Sequence, residues 1–183
     1  MASPVTSREL AHGGLFGAAA LLLPVLFHLI QLGRVFMPMY LPLVALAFLV
    51  RPAPAVVTAV LIPLLSAAAT GMPPWYPPIA PAMALELGAV TGIIALVQGR
   101  FPRINPWLLL GAALLVGRGL YVAEIYALSR FVKLPAGLLA TLSLLSGWPG
   151  ILLMMAVVPP FVMAVRRRAR RRGLDLPKRG AAL

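Results

Sequence analysis

Residues 70–78 read TGMPPWYPP, bracketed by the apolar runs 56–69 and 82–97. Four of these nine residues are proline, which lacks an N–H and clashes with the preceding turn, so no helix continues through them. The flanking runs are apolar enough to sit in lipid. Irregular backbone at membrane depth has to be buried in protein or line a wet cavity. The stretch therefore predicts two membrane helices joined by a rigid outer loop. That loop presents Met72, Trp75 and Tyr76 at the mouth of a helix bundle, as part of a candidate ligand site.

The rest of the chain supports a membrane reading. Of 183 residues, 61% are hydrophobic and 11% charged, and the mean hydropathy is +0.96. A soluble domain of this length could not hide so much apolar surface. The expected fold is all-α and membrane-integral, a compact bundle of about six transmembrane helices with the proline-rich loop between the third and fourth. Apolar segments lie at 13–32, 38–50, 53–69, 82–97 and 106–128, and a last one ends at 165. The second is shorter than the roughly 20 residues that cross hydrocarbon, so the chain before it, or a thinned site around it, has to complete the crossing. The last apolar region, 134–165, is too long for one straight span. Gly147-Trp148-Pro149-Gly150 divides it, leaving 149–165 as the main span and 134–146 as an outer helix or the upper half of a broken one. The chain thus reads as a short N-terminus (1–12), a membrane domain (13–165) and a basic tail (166–183). No cleavable leader is expected, because 1–12 is polar and no small-residue cleavage site follows.

The net charge of +12 is a matter of placement. With the N-terminus in the cytoplasm, Arg8, Arg51, Arg100, Arg103 and the eight basic residues after Val165 fall inside, against Arg34, Arg130 and Lys133 outside. Such a positive-inside bias predicts a multi-pass protein of a bacterial or archaeal cell membrane with both termini cytoplasmic. The run from Arg166 to Arg172 reads as an anchor on the anionic inner leaflet, and no nucleic-acid partner is expected. Cysteine is absent, which removes disulfides, thiol catalysis and zinc–thiolate sites. Two histidines and four acids make a poor metal site, so no metal or other cofactor is expected. No G-x-S-x-G, H-E-x-x-H or Walker phosphate loop occurs. The chain does not read as an enzyme, and any ATP-driven process would draw on partner chains.

Polar residues within the spans are few, and in this topology they gather in the outer half: His28, Gln31, Glu86, Tyr121 and Glu124, with Arg118 near mid-depth. Ionisable groups in spans cost a few kcal/mol and usually face a cavity or a partner. A wet pocket open to the outside accounts for them together, and each also has a plainer reading. Glu86 could cap a helix start. Arg118 could pair structurally with Glu124 or Glu86. His28 could bridge two helices, and Trp75, Tyr76 and Trp148 could belong to the interfacial aromatic belt. In the first span, Gly13 with Gly17 and Gly14 with Ala18 form two overlapping small-xxx-small pairs, which suit either internal packing or a partner helix.

Five stretches together resemble the substrate-binding S component of energy-coupling factor (ECF) vitamin transporters. They are FHLIQLGRVFMPMYLPL (27–43), PLLSAAATGMPP (63–74), MALELGAVTG (83–92), LLVGRGLY (114–121) and SGWPGILL (146–153). The resemblance implies a six-helix binding subunit for a vitamin or related micronutrient, with cobalamin-like compounds, folate and pantothenate among the candidates. It implies outer loops closing over the ligand, here 31–40 and 71–78. The expected substrate-binding residues are Gln31, Arg34, Tyr40, Met72, Trp75, Tyr76, Glu86, Arg118, Tyr121, Glu124 and Trp148. Small residues of the first helix, here Gly13, Gly14, Gly17 and Ala18, would dock the transmembrane coupling subunit, although the family usually carries alanines at that spacing. Two cytoplasmic ATPase subunits would supply the energy. A structural scaffold of cell-wall assembly and a proton-coupled secondary carrier are the competing classes. The scaffold needs no outer polar cluster, and the carrier needs a coupling carboxylate and usually an inverted repeat, of which the sequence shows none.

Overall fold

A computed structural model describes residues 5–29, 37–76, 78–129 and 147–171, and within them every regular element is an α-helix. They are α1 (Ser7–Leu29), α2 (Tyr40–Ala47), α3 (Pro52–Thr70), α4 (Ile79–Arg100), α5 (Pro106–Ser129) and α6 (Trp148–Arg171). Five of them, all but α2, are long and apolar enough to cross a membrane. The protein is therefore a multi-pass membrane protein.

Of the expected six or so crossings, five are made by helices long enough to span alone, and the second apolar segment holds the short helix α2. Its eight residues rise only about 12 Å, against roughly 30 Å of hydrocarbon. The described part of the second apolar segment fills the centre of the bundle. From Pro38 to Val50 every residue but Leu41 is buried, and α2 packs against α1, α3, α4 and α6. This burial accounts for the segment being as apolar as a span, and the chain before it, expected to complete the crossing, lies outside the described residues. The possible outer helix at 134–146 lies outside the described residues.

Glycine sets the closest helix approaches. Gly88 and Gly92, one turn apart on α4, face α3: a β-carbon at Gly88 would sit 2.8 Å from Val60 Cγ2, and at Gly92 3.2 Å from Val56 Cγ2. On the other side of α3, a β-carbon at Gly13 would meet Thr58 Oγ1 at 3.1 Å, and at Gly17 Ile62 Cδ1 at 3.0 Å. Small residues at helical spacing let backbones come together where lipid supplies no hydrophobic drive. The pairings also fix direction, since α1 runs parallel to α3 and α4 runs antiparallel to it.

Helix ends follow local chemistry. Thr6 and Glu9 form a reciprocal cap on α1: the Glu9 N–H donates to Thr6 Oγ1 at 3.3 Å, and the Thr6 N–H donates to Glu9 Oε2 at 3.1 Å. That cap starts the helix at Ser7, inside the stretch expected to be a polar N-terminus. The same carboxylate is buried and takes Arg51 Nε and Nη2, each at 2.7 Å, and the Arg51 N–H at 3.2 Å. One side chain thus clasps the foot of α1 to the start of α3. At the other boundary, α6 runs past Val165 through Arg171, because arginine is a good helix former.

Candidate functional site

Three polar side chains of the described residues, Tyr40, Glu86 and Arg118, converge where α2 begins. Tyr40, its first residue, is buried and donates its hydroxyl to Glu86 Oε2 on α4. Glu86 is 2% exposed and is the eighth residue of α4, two turns beyond the N-terminal amides. It is not a helix cap. The helix starts at Ile79, three residues before the expected boundary, because proline is tolerated in a first turn and Pro81 stands there.

The other Glu86 oxygen faces Arg118 of α5, with Nη1 at 3.9 Å from Oε1 and both side chains buried. Arg118 is the residue that pairs with Glu86, and it sits at the middle of α5. Its Nη2 lies 2.6 Å from Met37 Sδ. A separation of 3.9 Å is an ion pair with no hydrogen bond between the two groups. Gly117 makes the approach possible, since a β-carbon there would collide with Val90 Cγ2 and stand 3.5 Å from Glu86 Cγ.

Gly117, Tyr121 and Glu124 follow at i, i+4 and i+7, one face of α5. Because Gly117 faces Glu86, Tyr121 and Glu124 continue that face toward the start of α4. Glu124 Oε2 is buried and has no hydrogen-bond partner. A carboxyl oxygen in that condition costs on the order of 1–3 kcal/mol, and a functional role is one of the explanations such a group calls for.

The proline-rich loop is fixed at both ends. Gly71 closes α3 in the left-handed region (φ 72°), and its N–H reaches the Ala67 carbonyl at 3.0 Å. Ser66 Oγ donates to the Met72 carbonyl at 2.7 Å. The Ala80 N–H donates to the Pro74 carbonyl at 3.1 Å. Its side chains, however, turn outward. Met72, Trp75 and Tyr76 are 54%, 51% and 74% exposed, and Trp148 at the start of α6 is 56% exposed. The structure thus brings together Tyr40, Glu86 and Arg118, sets Tyr121 and Glu124 on the adjoining face, and leaves Met72, Trp75, Tyr76 and Trp148 at the surface. Gln31 and Arg34 lie outside the described residues, as does the His28 side chain. Met37 was not foreseen, since a thioether beside an arginine leaves no sequence signal.

The small-residue face of α1 divides in two. Gly13 and Gly17 face Thr58 and Ile62 of α3, in line with the internal-packing alternative that the sequence left open. Gly14 and Ala18 are exposed, and a β-carbon at Gly14 would meet nothing within 4 Å. A separate groove of about 300 Å³ runs between α1 and α6 over α2, lined only by apolar side chains.

No family model matches the chain, and neither does any curated protein or solved structure.

Proposed function

We propose that this chain is the substrate-binding membrane subunit of an ATP-driven importer of the ECF type, taking up a vitamin or related micronutrient. The observation that carries the reading is the buried Tyr40–Glu86–Arg118 group, a set of hydrogen-bonding and charged side chains deep within an apolar bundle. An ionisable residue within a membrane helix is by default a functional-site hypothesis, and a few convergent polar groups in apolar surroundings are how small-molecule sites achieve orientation. Arg118 would meet an anionic or acceptor group of the ligand, Tyr40 and Glu86 would hold it in place, and Tyr121 and Glu124 would line the way in. The anchored loop at 71–78 would swing its aromatic side chains over the bound ligand. In this arrangement both termini are cytoplasmic, and the exposed Gly14–Ala18 face of α1 docks the coupling subunit, which connects to two ATPase subunits. Mass spectrometry of small molecules retained by the purified protein tests the reading. One bound compound of vitamin-like mass supports it, and a chain that retains none and shifts its melting temperature with none of the candidate vitamins contradicts it.

A proton-coupled carrier is the second reading, favoured by the partnerless Glu124 oxygen beside the Glu86 group. Uptake into vesicles holding this chain alone, driven by a pH gradient without ATP, would select it.

A further inference from the structure

The groove between α1 and α6 has a second feature that its apolar lining does not suggest. Leu15, Phe16 and Ala19 form one wall, Pro42 and Ala45 the floor, and Val157 and Phe161 the other wall. Phe16 and Phe161 meet edge to face, with ring centroids 6.2 Å apart. No side chain in it offers a hydrogen bond, so it suits hydrocarbon and not a solute with polar handles. Following the α6 wall along its helical face from Val157 and Phe161 leads to Ala164, Arg168 and Arg171, at i, i+4, i+7, i+11 and i+14. All five are exposed. Arg168 stands seven residues past Phe161, about 10 Å along the axis. An apolar trough therefore opens, on a single helix face, onto two guanidinium groups.

We propose that this face is a binding site for an anionic phospholipid, with one acyl chain lying in the groove and the phosphate headgroup held by Arg168 and Arg171. Arginine matches phosphate oxygens in bidentate geometry, and basic clusters beside grooves between membrane helices recognise anionic headgroups. The charge argues against a second copy of this chain as the occupant, since pairing the same face would bring two arginine stripes together. The site does not depend on the proposed transport function.

The test is native mass spectrometry of the full chain in detergent, titrated with phosphatidylglycerol or phosphatidylcholine of equal chain length, with thermal unfolding alongside. The expected result is a phosphatidylglycerol adduct favoured on the order of tenfold, with the larger rise in melting temperature. Arg168→Gln with Arg171→Gln should reduce phosphatidylglycerol to the phosphatidylcholine level, while Arg168→Lys with Arg171→Lys should keep the preference. Ala19→Phe should fill the groove and weaken both lipids. Equal binding of the two lipids by the parent protein overturns the proposal. So does a preference that survives loss of both arginines, or a lipid-free dimer occluding the face. Both glutamine changes are at exposed positions, so a variant that unfolds instead would itself contradict the surface role assigned to these arginines.

Discussion

Glu86 is the residue on which the polar group turns, because it accepts from Tyr40 through one oxygen and faces Arg118 through the other. Breaking a buried ion pair from one side strands a charge and costs about 3–5 kcal/mol, whereas replacing both partners by apolar groups is often neutral. Arg118→Met should therefore lower the thermal midpoint more than Glu86→Leu combined with Arg118→Met, measured in the same detergent. Equal losses would mean that the two side chains are not coupled. Tyr40→Phe should cost about 1–3 kcal/mol, the penalty for leaving a buried acceptor without its donor. Glu86 and Arg118 were legible in the sequence because charged residues stand out against hydrocarbon, whereas Tyr40 entered only through the family resemblance. Their pairing was not legible. A six-residue spacing on α5 kept an Arg118–Glu124 pair open, and nothing linear indicated that α2 would bring Tyr40 to α4.

At the scale of elements, two glycine pairs set the packing around α3, and only one of them was legible as a motif. Gly13 and Gly17 were read with Gly14 and Ala18 as a single small-residue face, since periodicity alone cannot say which neighbour a face meets. The structure separates them by one residue, about 100° of helix. Gly17→Leu should then disrupt folding, because Ile62 leaves no room and overpacking costs about 1–3 kcal/mol or more. Gly14→Leu should fold normally, since open space surrounds that position. If the proposed docking is right, Gly14→Leu should also prevent co-purification with a coupling subunit. The melting temperature of each variant separates these outcomes, and a normal midpoint for Gly17→Leu would contradict the packing. The cap formed by Thr6 and Glu9 was readable as T-x-x-E, but its service to Arg51, 42 residues away, had no local signal.

For the whole molecule, composition was enough to identify membrane helices, and proline placement was enough to locate the loop between α3 and α4. Hydropathy could not distinguish a short buried helix from part of a span, since both are apolar throughout, and so the burial of α2 at the centre of the bundle was not foreseen. The orientation proposed from charge predicts that a cysteine at Tyr76 reacts with an impermeant thiol reagent in intact cells and one at Ser7 does not. The reverse pattern would put the arginine-rich side outside. The most direct test of the central claim, that the group at the head of α2 binds a ligand, is retained small-molecule content in the parent and in Glu86→Leu/Arg118→Met. The double variant removes the site's charges without stranding either one. The account predicts a bound compound that mass spectrometry detects in the parent and that the variant has lost, at an unchanged melting temperature measured without ligand. Equal retention by both proteins would contradict it.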